Sequence, residues 1–146
     1  FIPKAIIRTL LGQRIPVYGS GKQIRDWIYI SDHCEALDMI LEKGTSGELY
    51  NISAGNEMEN VKVVEMILDI FGKSKDTIEF VEDRPGHDTR YSLDSTKIRG
   101  ELGWKPKHNL KEAIAKTVDW YASNEWWWKP IVDDRILHPT PWKLKW

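Results

Sequence analysis

Arg25, Arg84 and His87 are the side chains in this chain best suited to gripping an anion, and each sits beside an expected turn or strand end. An arginine presents a planar fork of donors that matches phosphate oxygens two at a time. Asn60 stands directly before an apolar helical pattern, where free backbone N–H groups and the helix dipole favour an anion or a polar ligand atom. Tyr18 follows Pro16 into a turn framed by Gly19 and Gly21, where its ring could lie against a base. Together these residues suit a phosphate-bearing ligand with an aromatic head. A plainer alternative stays open. Arg25 can pair with Asp26 or Asp32, Arg84 with Asp83 or Asp88, and Asn60 can simply cap its helix.

The loop EDRPGHDTRYSLD, residues 82–94, concentrates this chemistry. It holds two arginines, one histidine and four acids on a frame stiffened by Pro85 and opened by Gly86. Asp83 and Asp88 could act as a general acid and base, but acids flanking arginines more often orient them. Cys34 lies mid-helix with only His33 as a basic neighbour, so a buried, inert thiol is expected. Trp126, Trp127 and Trp128 could form a ligand platform, although aromatics at a helix end more often pack on the body or on a partner. The turn YGSGK lacks P-loop spacing, and no G-x-G-x-x-G occurs. His33, His87, His108 and His138 are scattered without a second ligand at metal spacing, so no metal site is expected. No complete catalytic constellation is visible.

These residues must be positioned by a mixed α/β chain. Ile2, Ala5, Ile6 and Leu10 fall near one helical face, with Gly12 as a stop. A short strand follows at 15–17, and alternation in IRDWIYI predicts another over 24–30. Ser31 or Asp32 could cap a helix that ends at Gly44. ELYNIS reads as a buried strand over 48–53. Asn60 precedes the amphipathic helix VKVVEMILDIF, and TIEFVE is a strand leading into the 82–94 loop. Ser95 could cap a short helix through Leu102, and Asn109 a long one through Trp128. Pro130, Pro139 and Pro141 argue against further long elements. The order is α/β without internal repeats. Residues 1–128 are expected to form one portion, and 129–146 a tail rich in Trp and Pro.

Composition limits the partners. The chain has 146 residues, 41% hydrophobic and 29% charged, with a net charge of −1. That balance fits a soluble domain and gives no reason to expect nucleic acid or an anionic membrane as partner. No apolar run nears the ~20 residues that span a bilayer. A single cysteine excludes an internal disulfide and suggests a cytoplasmic protein. Most of the eight tryptophans lie from Trp120 onward. The chain opens directly on an apolar helix pattern, without a signal-peptide pattern, as a piece of a longer protein would.

IPVYGSGKQIRDWIYISDHCEAL, YNISAGNEMEN, EDRPGHDTRYSLDSTKI and LGWKPKHNLKEAIAKTVDWY resemble, in order, the C-terminal half of extended short-chain dehydrogenases that act on nucleotide sugars. The similarity is strongest to the dTDP-glucose 4,6-dehydratase family, through RDW-I-Y with the following DH and through DRPGHD-T-RY. It covers residues 1–128 and leaves the tail unassigned. The resemblance implies a dTDP-sugar ligand, with Pro16 and Tyr18 facing the thymine end. Arg25, Asn60, Arg84 and His87 would then hold ribose and diphosphate.

The resemblance also implies what to expect missing. The family's glycine-rich NAD-binding unit, its Tyr-x-x-x-Lys pair and its Asp-Glu pair belong to the N-terminal half. This chain is therefore expected to bind no NAD, to supply no catalytic residue and to be inactive alone. In the family, the helix near 32–43 and the strand at 48–53 complete the dinucleotide-binding domain. Ile28, Ile30, Leu37, Ile40, Leu41 and Ile52 are expected to stay partly uncovered and to favour self-association, since each exposed large aliphatic forfeits ~1.5–3 kcal/mol. Two alternatives remain. One is another nucleotide-sugar epimerase, decarboxylase or reductase, and the other is a non-catalytic interaction domain using the Trp-rich tail.

Overall fold

The computed structural model describes residues 1–144. Helix α1 (Ile2–Leu10) leads through a turn into strand β1 (Ile15–Tyr18). Strand β2 (Ile24–Asp26) and helix α2 (Ile30–Lys43) follow, then an irregular segment, strand β3 (Glu57–Glu59) and helix α3 (Asn60–Ile70). A 3₁₀ turn at Lys75–Thr77 enters β4 (Ile78–Val81), and β5 (Arg90–Tyr91) closes the loop. The rest is helical: α4 (Thr96–Leu102), α5 (Leu110–Ser123), α6 (Glu125–Trp128) and α7 (Asp134–Leu137), with a last 3₁₀ turn at Pro141–Lys143.

Two small sheets organise these elements. β1 and β4 pair in parallel, from Ile15 opposite Ile78 to Tyr18 opposite Val81. β2 lies between β3, antiparallel, and β5, parallel. α1 and α3 pack on β1 and α5 packs on both helices, because their apolar residues recur every three to four positions and must leave water together. Ile6, Val17, Val63, Ile67, Leu68 and Ile114 form this core at 0–1% exposure. Each such aliphatic contributes about 1.5–3 kcal/mol. A second cluster joins Ala36, Ile98 and Trp104, and a third joins Ile7, Trp128 and Leu137.

Four expected elements come out differently, one being the helix expected through Trp128, which breaks at Asn124 into α5 and α6. The strand expected at 48–53 does not form. Leu49 is 87% exposed, and a strand without a ladder partner is not stable. The segment is held from the side instead. Arg99 donates to the carbonyls of Ser53 and Ala54, and the Ser95 hydroxyl donates to Ser53. The strand expected over 24–30 stops at Asp26, because β3 and β5 supply only three and two residues of edge. α2 then starts at Ile30 with Tyr29 as its N-cap residue and no side-chain cap.

Capping also differs. Asp32 turns inward and accepts from the N–H groups of Lys107 and His108, fixing the approach to α5 rather than its own helix. Asp94, not Ser95, caps α4 through the Thr96 N–H, whereas Asn109 caps α5 as expected. Cys34 is exposed, not buried, and shares the outer face of α2 with Ile30, Leu37 and Leu41. Of the three consecutive tryptophans, Trp128 is buried, while Trp126 is 73% exposed.

Candidate functional site

β1 delivers Tyr18 to the end of the parallel pair, and a tight turn follows in which the Gly21 N–H donates to the Tyr18 carbonyl. Gly19 and Gly21 both take positive φ, 56° and 71°. A Cβ on Gly19 would lie 2.7 Å from Asp83 Oδ2, and one on Gly21 would lie 2.6 Å from Val17 Cγ1. The turn is therefore glycine for reasons of space as well as dihedral angle. It lets the loop after β4 lie directly against the end of β1.

Asp83 is the hub of that contact. Its Oδ1 accepts from the Arg84 N–H at 2.9 Å and meets His87 Nδ1 at 2.6 Å, and its Oδ2 accepts from Gln23 Nε2 at 2.9 Å. The hydrogen bond from His87 holds the Asp83 carboxyl below the usual carboxylate range. The ring of His87 is 7% exposed and stands edge-on to Tyr18, centroids 6.3 Å apart. Burial raises the Tyr18 hydroxyl above its ordinary value, and the nearby Arg84 charge opposes that rise. Tyr18, Arg84 and His87 thus share one corner.

Arg25 reaches the same loop by another route. Its guanidinium donates to the Ile24 carbonyl at 2.7 Å and to the Asp88 carbonyl at 3.0 Å. The plainer pairing with Asp26 or Asp32 does not occur. Asp26 instead accepts from the N–H groups of Ala54, Gly55 and Asn56. Arg84 likewise makes no ion pair with Asp83 or Asp88 among the described residues. The loop acids therefore orient the histidine and the backbone rather than the arginine side chains.

Asn60 is the first residue of α3, after Glu59 as N-cap residue, and its side chain caps nothing. Its N–H donates to the Gln23 carbonyl, and the Val61 N–H donates to the Gly21 carbonyl. Two of the free donors expected at this helix start are thus already used. The Asn60 Oδ1 is buried without a hydrogen-bond partner, as is Gln23 Oε1 next to it. Pro16 is buried in β1 and, with Tyr18, lines a cavity of about 240 Å³ beside Lys4 and Pro141. Burial, helped by the Arg8 charge, lowers Lys4 to about 8. Nothing in the sequence marks Gln23, Lys4 or Pro141 as belonging to this corner. They reach this corner only through long-range folding, and no local spacing marks them.

Tyr18 and Lys22 do stand at Tyr-x-x-x-Lys spacing, contrary to expectation. The four residues cross a turn rather than one turn of helix, so the spacing does not stack the two side chains. The same turn runs into β2, not into a helix, and Asp83 fills the space over Gly19. It does not fit the pyrophosphate of a dinucleotide. Among the described residues, no group of three or more acids, histidines or cysteines could hold a metal ion.

The fold is that of one part of an extended short-chain dehydrogenase. The solved structures agree closely. A dTDP-glucose 4,6-dehydratase of Bacillus anthracis in complex with NAD superposes with a TM-score of 0.86 at 45% identity, over 90% of this chain and 42% of its own. DesIV, the dTDP-glucose 4,6-dehydratase of Streptomyces venezuelae solved with NAD and TYD bound, gives 0.87 at 39% identity, over 90% and 41%. The chain belongs to the GDP-mannose 4,6 dehydratase family, whose model matches residues 1–117. A dTDP-glucose 4,6-dehydratase of Xanthomonas campestris is 44% identical over 141 residues. That alignment takes in 90% of this chain and 40% of the relative, so the chain spans well under half the length of such relatives.

Proposed function

We propose that this chain forms the nucleotide-binding part of an NAD-dependent dTDP-glucose 4,6-dehydratase, a lyase of deoxysugar biosynthesis. One observation carries this reading. Asp83 ties the loop bearing Arg84 and His87 to the turn after Tyr18, so two cationic or polar heads and an aromatic ring face one corner. Arg84 and His87 would bind the diphosphate, Arg25 would brace the loop beside it, and Tyr18 with Pro16 would meet the thymine. Asn60 would offer its unpaired oxygen to the nucleoside. Identity of 44–45% to dTDP-glucose 4,6-dehydratases supports the thymidine nucleotide over others.

NAD supplies the hydride chemistry in such enzymes, and no residue described above fits it. The contribution of these residues is to bind and orient the nucleotide handle, so that the sugar is presented to groups outside the 146 residues. The chain by itself is expected to show no turnover of dTDP-glucose with added NAD. A dTDP titration followed by tryptophan fluorescence tests the binding. Arg84→Ala should weaken dTDP at least tenfold, the loss of one charge-assisted contact of ~1.5–3 kcal/mol. Equal affinity in the variant, or a preference for UDP or GDP, would move the reading to an interaction domain or to another nucleotide-sugar enzyme.

The reading includes cytoplasmic residence and self-association. Ile30, Leu41 and Leu49 are 67%, 84% and 87% exposed along α2 and the segment after it. Such a stripe favours a covering surface. Sedimentation should show the mean mass rising with concentration, and a constant monomer mass would refute this part. No helix among the described residues is long and apolar enough to cross a membrane.

A further inference from the structure

We propose that Lys4 is the polar group of the nucleoside subsite, and that its ammonium selects a pyrimidine with a carbonyl at ring position 4 over one with an amino group there. This rests on the nucleotide reading above and extends it to a residue outside the four family motifs. Lys4 lines the same cavity of about 240 Å³ as Pro16 and Tyr18. Tyr18 joins that cavity to the anion corner, since its ring centroid stands 6.3 Å from that of His87. A nucleotide with its diphosphate at Arg84 and His87 would therefore carry its base past Tyr18 into the space beside Lys4. The other side chains around that space, Phe1, Ala5, Ile15, Ile136 and Pro141, are apolar. They suit the faces of a ring and offer its polar edge nothing.

Lys4 has donors left over. A lysine ammonium carries three donors and no acceptor. One goes to the His138 carbonyl, and among the described residues no carboxylate pairs with the group. The charge that acts on it is another cation, Arg8, so burial and repulsion both weigh against the ammonium. A desolvated charge calls for further hydrogen-bond acceptors. In an otherwise apolar cavity, the incoming ligand is what can supply one. Thymine and uracil turn a carbonyl oxygen outward at position 4, where cytosine turns an amino group that only donates. The carbonyl accepts from the ammonium in a charge-assisted contact, and the amino group meets a donor with a donor.

Calorimetric titration of the full 146-residue chain with dUDP, dCDP and inorganic pyrophosphate tests this. The two nucleotides differ in that edge of the ring alone. The parent should prefer dUDP about tenfold, the worth of one charge-assisted contact. Lys4→Met keeps the stem and should bring the two affinities within twofold of each other, with pyrophosphate unchanged. Lys4→Gln keeps a donor for the His138 carbonyl and gains an acceptor, so it should level the two affinities even if Lys4→Met fails to fold. Lys4→Arg should retain the preference for dUDP. Arg84→Ala should weaken all three ligands alike and keep the preference. Equal affinities in the parent, or an unchanged preference in Lys4→Gln, with Arg84→Ala impaired, would overturn the role of Lys4 and leave the nucleotide reading intact. So would a pyrophosphate loss in the Lys4 variants as large as their dUDP loss, which would make Lys4 a phosphate contact. A parent chain that binds none of the three ligands would overturn both.

Discussion

Asp32 and Asp83 each face a histidine, Asp32 with His108 at 2.8 Å and Asp83 with His87 at 2.6 Å, but their surroundings differ. The Asp32 side chain is 2% exposed and saturated, accepting from two backbone N–H groups as well as the imidazole. On the far side of that ring, His108 Nε2 meets Lys116 Nζ at 2.8 Å. Asp83 is 41% exposed and sits at the rim, beside an arginine with no ion-pair partner among the described residues. The first pair joins α2 to α5 and leaves nothing over. The second sets a loop in place and leaves Arg84 available. Saturation marks a structural pair, and an unspent neighbour marks a positioning one.

The largest effect separating the two pairs should come from Asp32→Asn. It breaks a buried carboxylate–imidazole pair that also binds two backbone N–H groups, and should cost about 3–5 kcal/mol in urea unfolding. Under conditions where the variant remains folded, dTDP affinity should be close to that of the parent. Asp83→Asn should do the reverse. Its stability loss should be only about 1 kcal/mol, while dTDP affinity falls about fivefold as His87 loses its anchor. Comparable stability losses in the two variants would erase the distinction.

The smallest effect lies in the acid limb. Burial raises the Asp32 carboxyl, but the hydrogen bonds and charge of His108, with the Lys107 N–H, outweigh it and leave the folded value below 3.8. Asp83 is lowered too, chiefly by His87. For a carboxylate lowered by folding, the stabilisation is fully present above the unfolded value near 3.8 and is lost as pH falls through the folded value. Unfolding free energy should therefore drop below about pH 4. Asp32→Asn and Asp83→Asn should each flatten that drop, as pH-dependent denaturation would show.

The helices were legible because burial leaves a period of 3.6 in α1, α3 and α5. Strands were less so, since a strand exists only where another chain segment offers an edge. ELYNIS has the composition and no partner, while EME and RY have little strand character and pair with β2. The site divides the same way. Tyr18, Arg84 and His87 could be read from their motifs, and the structure brings them to one corner. Gln23 and Lys4 could not, because their places depend on contacts across 60 residues for Gln23 with Asp83, and across 134 for Lys4 with His138.

Cys34 gives the outer face of α2 a built-in reporter. It is the chain's one cysteine and stands four residues after Ile30 and three before Leu37, in the middle of the uncovered stripe. A thiol-reactive dye would therefore attach at a single place. Its rate of attachment would register whatever comes to lie over that helix, without any engineered substitution.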